Sequence, residues 1–222
     1  MMQSKKNKTL AILGSPHTEG ITAKMLAIAM DAARARGDEV TYLNLYDKKI
    51  QFCRGCNKCL ETAVCVMCND DISEITALVK ESDRIILAAP AYWANVPAVV
   101  KNLFDRLRGV AMAETNTFPK PRLSGKEYVL LTACNTPMPF AVICGQSTGA
   151  IRAMKEFFRT GGMKCKGIAV CGGASGKTEV PDKRIGSISF KYSIRNFFSL
   201  SGKFFLTCKN INRYNKSYNE IP

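Results

Sequence analysis

Five of the chain's ten cysteines fall within sixteen residues, in the stretch CRGCNKCLETAVCVMC at 53–68. Cys53, Cys56, Cys59 and Cys65 have the spacing C-x2-C-x2-C-x5-C, and Cys68 is a fifth thiol close by. Thiolates this near in sequence can wrap one iron–sulfur cluster, and four of them complete a [4Fe–4S] site. Four thiolates also suit a structural zinc ion. Reduced thiols packing a loop are the third reading. Cys65 and Cys68 are alternatives for the fourth ligand. Disulfides are disfavoured in a reducing cytoplasm, which is the expected location. The apolar run in MMQSKKNKTLAILGS stops after five residues, short of the roughly 7 that a secretory segment needs. The other cysteines, Cys134, Cys144, Cys165, Cys171 and Cys208, are scattered and read as small buried hydrophobes. His17 is the sole histidine, which excludes histidine-centred triads and multi-histidine metal sites.

The elements that must position these thiols alternate between strand and helix. A length of 222 residues fits one domain with an appendage. No apolar run approaches the roughly 20 residues of a membrane span. TLAILG (9–14) reads as a buried strand. Residues 20–36 read as a helix with Ile21, Met25 and Ile28 on one face and Gly37 at its C-terminal end. EVTYLNL (39–45) is a second strand, and the cysteine stretch follows as a long loop. A helix then begins at Asp71 as N-cap, with Glu74 three residues on and Ile72, Ile75 and Val79 facing inward. DRIILAAP (83–90) is apolar on both faces, as a central parallel strand should be. The next helix is expected to start at Pro97 and stop at Gly109. KEYVLLTAC (126–134), a helix over 147–160 carrying Ile151, Met154 and Phe158, and KCKGIAVCGG (164–173) complete the pattern. Such repeats specify a parallel sheet covered on both faces. The expected division is 1–173 as the main domain and 174–222 as a closing helix (190–205) with a basic tail.

An open parallel sheet binds ligands beyond the carboxyl ends of its strands. The segment GSPHTEGIT (14–22) supplies Ser15, Thr18 and Thr22 hydroxyls, two glycines and a helix N-terminus, features that suit a phosphate. PAYWANVP (90–97) places Tyr92 and the single tryptophan, Trp93, at a strand exit between stiffening prolines, a platform for a flat ring. ACNTPMPF (133–140) adds Asn135 and Thr136. CGGASGKT (171–178) departs from a P-loop, because Cys171 stands in the first glycine position and Pro181 follows too closely for the required helix. The net charge of +14 favours anionic partners but is spread out: nine Lys or Arg against three acids from Lys177 onward, and no nucleic-acid motif. A solvated basic face explains it, so neither nucleic acid nor membrane is an expected partner.

Together the three strand-exit segments resemble the NAD(P)H-dependent FMN reductase family of flavodoxin-like proteins, over about residues 8 to 173. Ser15, Thr18, Gly20 and Thr22 fit its phosphate loop, with His17 in a usually basic position and Ile21 in place of an Asn. Pro90, Ala91, Tyr92, Trp93, Ala94 and the later Pro97 fit its flavin-ring loop, and KNLFDR (101–106) matches its helix. Asn135 and Thr136 are weaker matches. The cysteine spacing is similar to that of the iron–sulfur flavoprotein branch, in the same place and followed by DDI. The resemblance implies an α/β flavodoxin-like three-layer sandwich with a five-stranded parallel sheet, order 2-1-3-4-5. It also implies bound FMN and an oxidoreductase that takes electrons from NAD(P)H and passes them to a small acceptor such as a flavin or quinone. The alternative is an electron carrier in which a [4Fe–4S] cluster relays electrons from ferredoxin to FMN. No catalytic side chain is implied, since flavin chemistry supplies the reactivity. A homodimer or homotetramer is the expected assembly.

Overall fold

The structure, a computed structural model, describes residues 6–182. The elements run β1 (Lys8–Leu13), α1 (Ile21–Ala35), β2 (Glu39–Asn44), a 3-10 turn (Leu45–Asp47), α2 (Lys58–Thr62), α3 (Ile72–Glu81) and β3 (Arg84–Pro90). They continue with α4 (Ala98–Arg106), α5 (Arg108–Ala111), β4 (Met112–Ala113), β5 (Lys120–Pro121), β6 (Glu127–Cys134), α6 (Phe140–Ile143), α7 (Gln146–Thr160) and β7 (Lys164–Gly172). Five strands form one parallel sheet in the order β2-β1-β3-β6-β7, the expected 2-1-3-4-5 once the small β4–β5 hairpin is set aside.

Alternation along the central strands builds two cores. Leu10 and Ile12 of β1, with Ile85 and Leu87 of β3, pack on one face against Ile75, Val79, Leu103, Met154 and Phe158 of α3, α4 and α7. Ala11 and Leu13, with Ile86 and Ala88, pack on the other against Met25, Leu26 and Ala29 of α1. Central strands buried on both sides must be apolar throughout, which is why the sequence shows runs there rather than alternation. At the amino ends of the strands, buried Asp38 and Arg84 and half-buried Glu127 form an ion-pair chain, with Thr9 bonded to Asp38. That end is closed by charge pairing, and the opposite edge is left for ligands.

Several local expectations are corrected, among them the burial of the scattered cysteines, since Cys134 and Cys171 are buried but Cys144 and Cys165 are exposed. Asp71 occupies the N-cap position of α3, but its carboxylate turns back to accept from the Lys49 amide at 2.7 Å, and the Ile72 amide is served by Asp70 instead. Glu74, expected in a capping box, pairs with Lys48. Pro97 is the N-cap of α4 rather than its first residue, and Gly109 does not end a helix. Gly109 lies inside α5, where it serves the cysteine segment. That segment is not loop throughout, since α2 crosses it. The closing helix expected at 190–205, the tail and Cys208 lie outside the described residues. Among those described, no helix is long and apolar enough to cross a membrane.

Candidate cofactor site and cysteine cleft

Because all five strands are parallel, the exits of β1, β2, β3 and β6 share one edge. The ladder continues past the strand ends: the Gly14 amide donates to the Ala88 carbonyl and the Ala91 amide to the Ala133 carbonyl, both at 2.8 Å. In the first exit loop, Ser15 and Thr22 are turned inward, 3 % and 4 % exposed, while His17 and Thr18 face outward. The His17 amide donates to Ser15 Oγ at 3.2 Å, which leaves the Ser15 hydroxyl hydrogen for another acceptor. Gly20 caps α1 without a side chain, so first-turn amides at Ile21 and Thr22 keep their donors and the positive end of the helix dipole.

The second exit is a tight hairpin. Tyr92 and Asn95 exchange backbone bonds at 2.8 and 2.9 Å, and both residues between them, Trp93 (φ 52°) and Ala94 (φ 55°), are left-handed. A two-residue turn with two positive φ values ordinarily carries Asn-Gly. Holding Trp and Ala there stores strain, which the surroundings must impose. Helix α7 imposes it: a Cβ on Gly149 would stand 1.9 Å from the Ala94 carbonyl oxygen, so backbone presses directly on the turn. The turn presents Trp93 with 97 % of its surface exposed. Pro90 and Ala91 are half-buried at the strand end. Tyr46, on the turn after β2, also comes to this edge; burial raises its hydroxyl pKa and the nearby Tyr92 adds to the shift. In the third exit, Asn135 is exposed and Thr136 half-buried, with the Thr136 carbonyl accepting from Gly173.

Cys53, Cys56, Cys59 and Cys65 line one cleft together with Arg54, Arg106, Arg108 and Asp105. Cys68 is exposed and is not among the lining residues. The cysteine segment is tied at its base, because Asp70 accepts from the Gln51 amide at 2.8 Å and Asp71 accepts from Lys49. It is held at its flank by the segment after β3. A Cβ on Gly109 would lie 2.0 Å from the Cys59 carbonyl oxygen, Arg122 donates to the Leu60 carbonyl at 2.8 Å, and Arg108 donates to Asn57 at 2.8 Å. Within the segment the Gly55 amide donates to Cys53 Sγ at 3.4 Å.

Arg106 sits beneath this arrangement with its side chain fully buried, paired to Asp70 at 2.7 Å. Burial pulls its pKa down, but the Asp70 carboxylate and the Cys65 sulfur outweigh that, and it rests above its usual value. Burial likewise pushes Asp70 up, and the Arg106 pair with the Gln51 and Ile72 amides brings it below the ordinary carboxylate value. Sequence reasoning did not single out Arg106 or Asp70, and it read Gly109 only as a helix stop. The available signal was Asn102 and Arg106, two polar residues one turn apart on a face that also carries Leu103.

These residues fit an anionic cluster bound by separate thiolates. Three arginines against one aspartate leave a positive excess that offsets part of the negative charge of four thiolates, and the Gly55 amide already points at a sulfur. A four-cysteine zinc site would need its sulfurs within about 3.8 Å of each other, since all sit about 2.3 Å from one ion. Among the described residues, no three Cys, His, Asp or Glu side chains are gathered in that way. A cluster offers each thiolate its own iron and accepts a wider set.

Comparison with known proteins agrees with this architecture. An iron–sulfur flavoprotein of Archaeoglobus fulgidus is 43 % identical over 100 residues, 45 % of this chain and 45 % of that one. The chain spans about half the length of the curated relatives it matches. The NAD(P)H:quinone oxidoreductase of Methanothermobacter marburgensis superposes with a TM-score of 0.65 at 14 % identity, covering 85 % of this chain and 96 % of that one. An FMN-dependent NADH-azoreductase of Bacillus anthracis, solved with FMN, gives 0.62 at 15 %, covering 84 % and 95 %. At such identities the two structures speak for the fold alone. The family described as Flavodoxin-like fold matches residues 7–185, and the chain belongs to it.

Proposed function

We propose that the chain is an FMN-dependent oxidoreductase with a [4Fe–4S] cluster in the cysteine cleft, in the manner of the iron–sulfur flavoproteins it resembles. The observation that carries this reading is the meeting of Cys53, Cys56, Cys59 and Cys65 in one arginine-lined cleft, on the same sheet edge as the flavin-type loops. The cluster, when bound, supplies one-electron transfer, and FMN exchanges electrons singly or in pairs. The protein's own residues do the rest. Ser15, Thr18, Thr22 and the first-turn amides at Ile21 and Thr22 hold a phosphate, with Gly20 keeping the turn free of a side chain and His17 at the outer rim. Pro90 to Ala94, with Asn135 and Thr136, frame the ring. In this reading a one-electron donor of the ferredoxin type delivers to the cluster, and a small acceptor such as a flavin or quinone collects from FMN. Assembly as a homodimer or homotetramer belongs to the same proposal.

A second reading has NAD(P)H reduce FMN directly. The exposed Tyr92–Asn95 turn favours it, because nothing among the described residues covers Trp93 from solvent. The two are separated by anaerobic mixing. Bleaching of the flavin by reduced ferredoxin or dithionite but not by NADH or NADPH supports the first; rapid bleaching by a nicotinamide supports the second.

The phosphate placement predicts that Ser15→Ala and Thr22→Ala each weaken FMN binding by about 1.5–3 kcal/mol, the range for a hydrogen bond to a charged group. Titration of FMN into the double variant checks this, and an unchanged Kd would put the phosphate elsewhere. Trp93 is the chain's one tryptophan, so its emission reports the ring site without interference. Saturating FMN is expected to quench most of it; full emission in the loaded protein would contradict the placement.

A further inference from the structure

A guanidinium has five N–H donors in a fixed fork. In Arg106 four of them are spent: one Nη donates to the Gln51 carbonyl at 2.6 Å and Asp70 at 2.7 Å, the other to the Met67 carbonyl at 2.5 Å and Asp70 at 3.1 Å. The fifth, at Nε, is buried and has no hydrogen-bond partner. Orphaned buried donors on charged groups are costly enough that a native site normally gives them an acceptor. The same side chain lines the cysteine cleft beside Cys65, the half-buried thiol that also packs on the core, whereas Cys68 is exposed and outside the cleft.

We propose that Arg106 is a positioning residue for the cluster: its free Nε–H donates to the Cys65 sulfur, which selects Cys65 rather than Cys68 as fourth ligand and favours the reduced cluster. The inference rests on the cluster reading above. When the cluster accepts one electron from its donor, one negative charge is added to the iron, sulfide and thiolate unit. A buried cation donating a hydrogen bond to that unit stabilises the added charge, and hydrogen bonds to cluster sulfurs are among the determinants of its potential. Asp70 and the two carbonyls hold the fork from behind, so the guanidinium cannot swing away to water. Lysine retains the charge but not this geometry, because its single ammonium cannot serve Asp70, both carbonyls and the sulfur together.

The test uses full-length protein prepared without oxygen: wild type, Arg106→Lys, Cys65→Ala and Cys68→Ala, with FMN content as the check on folding. Iron and sulfide are measured, and the cluster is titrated with dithionite through redox dyes. Cys68→Ala is expected to keep the cluster and Cys65→Ala to lose it. Arg106→Lys is expected to shift the one-electron equilibrium at least tenfold toward the oxidised form, about 59 mV more negative, or to lose iron while retaining FMN. If Arg106→Lys does not fold, the Asp70→Asn/Arg106→Gln double variant, which removes both charges together, takes the same measurement. Wild-type iron content and potential in the Arg106 variant overturn the inference alone, as does loss of the cluster in Cys68→Ala with retention in Cys65→Ala. A wild type without iron overturns the cluster reading and the inference with it.

Discussion

Asp70→Ala is expected to destabilise the protein by about 3–5 kcal/mol, the cost of leaving a buried charge without its partner. Arg106 is fully buried and Asp70 is 3 % exposed, so water cannot replace the lost carboxylate. The substitution also leaves the Gln51 and Ile72 amides without this acceptor, so Asp71 accepting from Lys49 is the tie that remains at the base of the cysteine segment. Adding Arg106→Met should recover a large part of the loss, because removing both members of a buried pair is far milder than removing one. Urea unfolding of the two variants checks this. A single-variant loss under about 1 kcal/mol would mean that the pair does not anchor the segment.

The same pair sets a pH dependence. The folded pKa of Asp70 is lowered, so its stabilisation is present above the unfolded value of about 3.9 and is lost as pH falls through the lower folded value. Asp70→Ala should therefore flatten the acid limb of the stability curve.

Gly109→Ala is expected to strip the cluster while leaving FMN in place. Its new Cβ would meet the Cys59 carbonyl carbon at 2.5 Å and Cβ at 2.7 Å as well as the oxygen, all parts of a helical turn rather than a flexible side-chain end. Helix α2 must move away, carrying Cys59 out of register with its partners. Overpacking of this kind costs about 1–3 kcal/mol of stability, and the expected loss of bound iron is several-fold. Gly149→Ala provides the reciprocal experiment, since its Cβ collides with the Ala94 carbonyl and should loosen the Tyr92–Asn95 turn. That variant is expected to weaken FMN binding and keep its iron. Iron lost equally in both would mean that the two sites are not separately supported.

The sheet was legible because buried parallel strands must be apolar on both faces, and β3 and β6 have no other reading. The helices α1, α3 and α7 were legible from spacing, with Gly37 at φ 89° just past α1 as its position required. What sequence could not show was which polar residues turn inward. Arg106 looks like any charged residue on an amphipathic helix, and only the cysteine segment folding over it makes it buried. Asp71 read as a helix N-cap, and Asp70 drew no reading beyond the DDI that follows the cysteines. In the structure they tie the base of the segment, because long-range bonds to Gln51 and Lys49 outcompete local capping. Gly109 read as a stop signal because its real constraint, contact with Cys59 fifty residues earlier, has no local signature. The first-loop and cysteine residues were singled out from spacing; the structure lines one cleft with Cys53, Cys56, Cys59 and Cys65 and turns Ser15 and Thr22 inward, while His17 and Thr18 face outward.

The proposed function puts FMN at the strand exits and a [4Fe–4S] cluster in the cysteine cleft of one chain. The most direct measurement is iron, acid-labile sulfide and flavin analysis, with an absorption spectrum, on protein made and purified without oxygen. About four iron and four sulfide per chain are expected beside one FMN, with Cys59→Ser losing the metal and retaining the flavin. One zinc per chain, or no metal in the anaerobic wild type, would contradict the proposal.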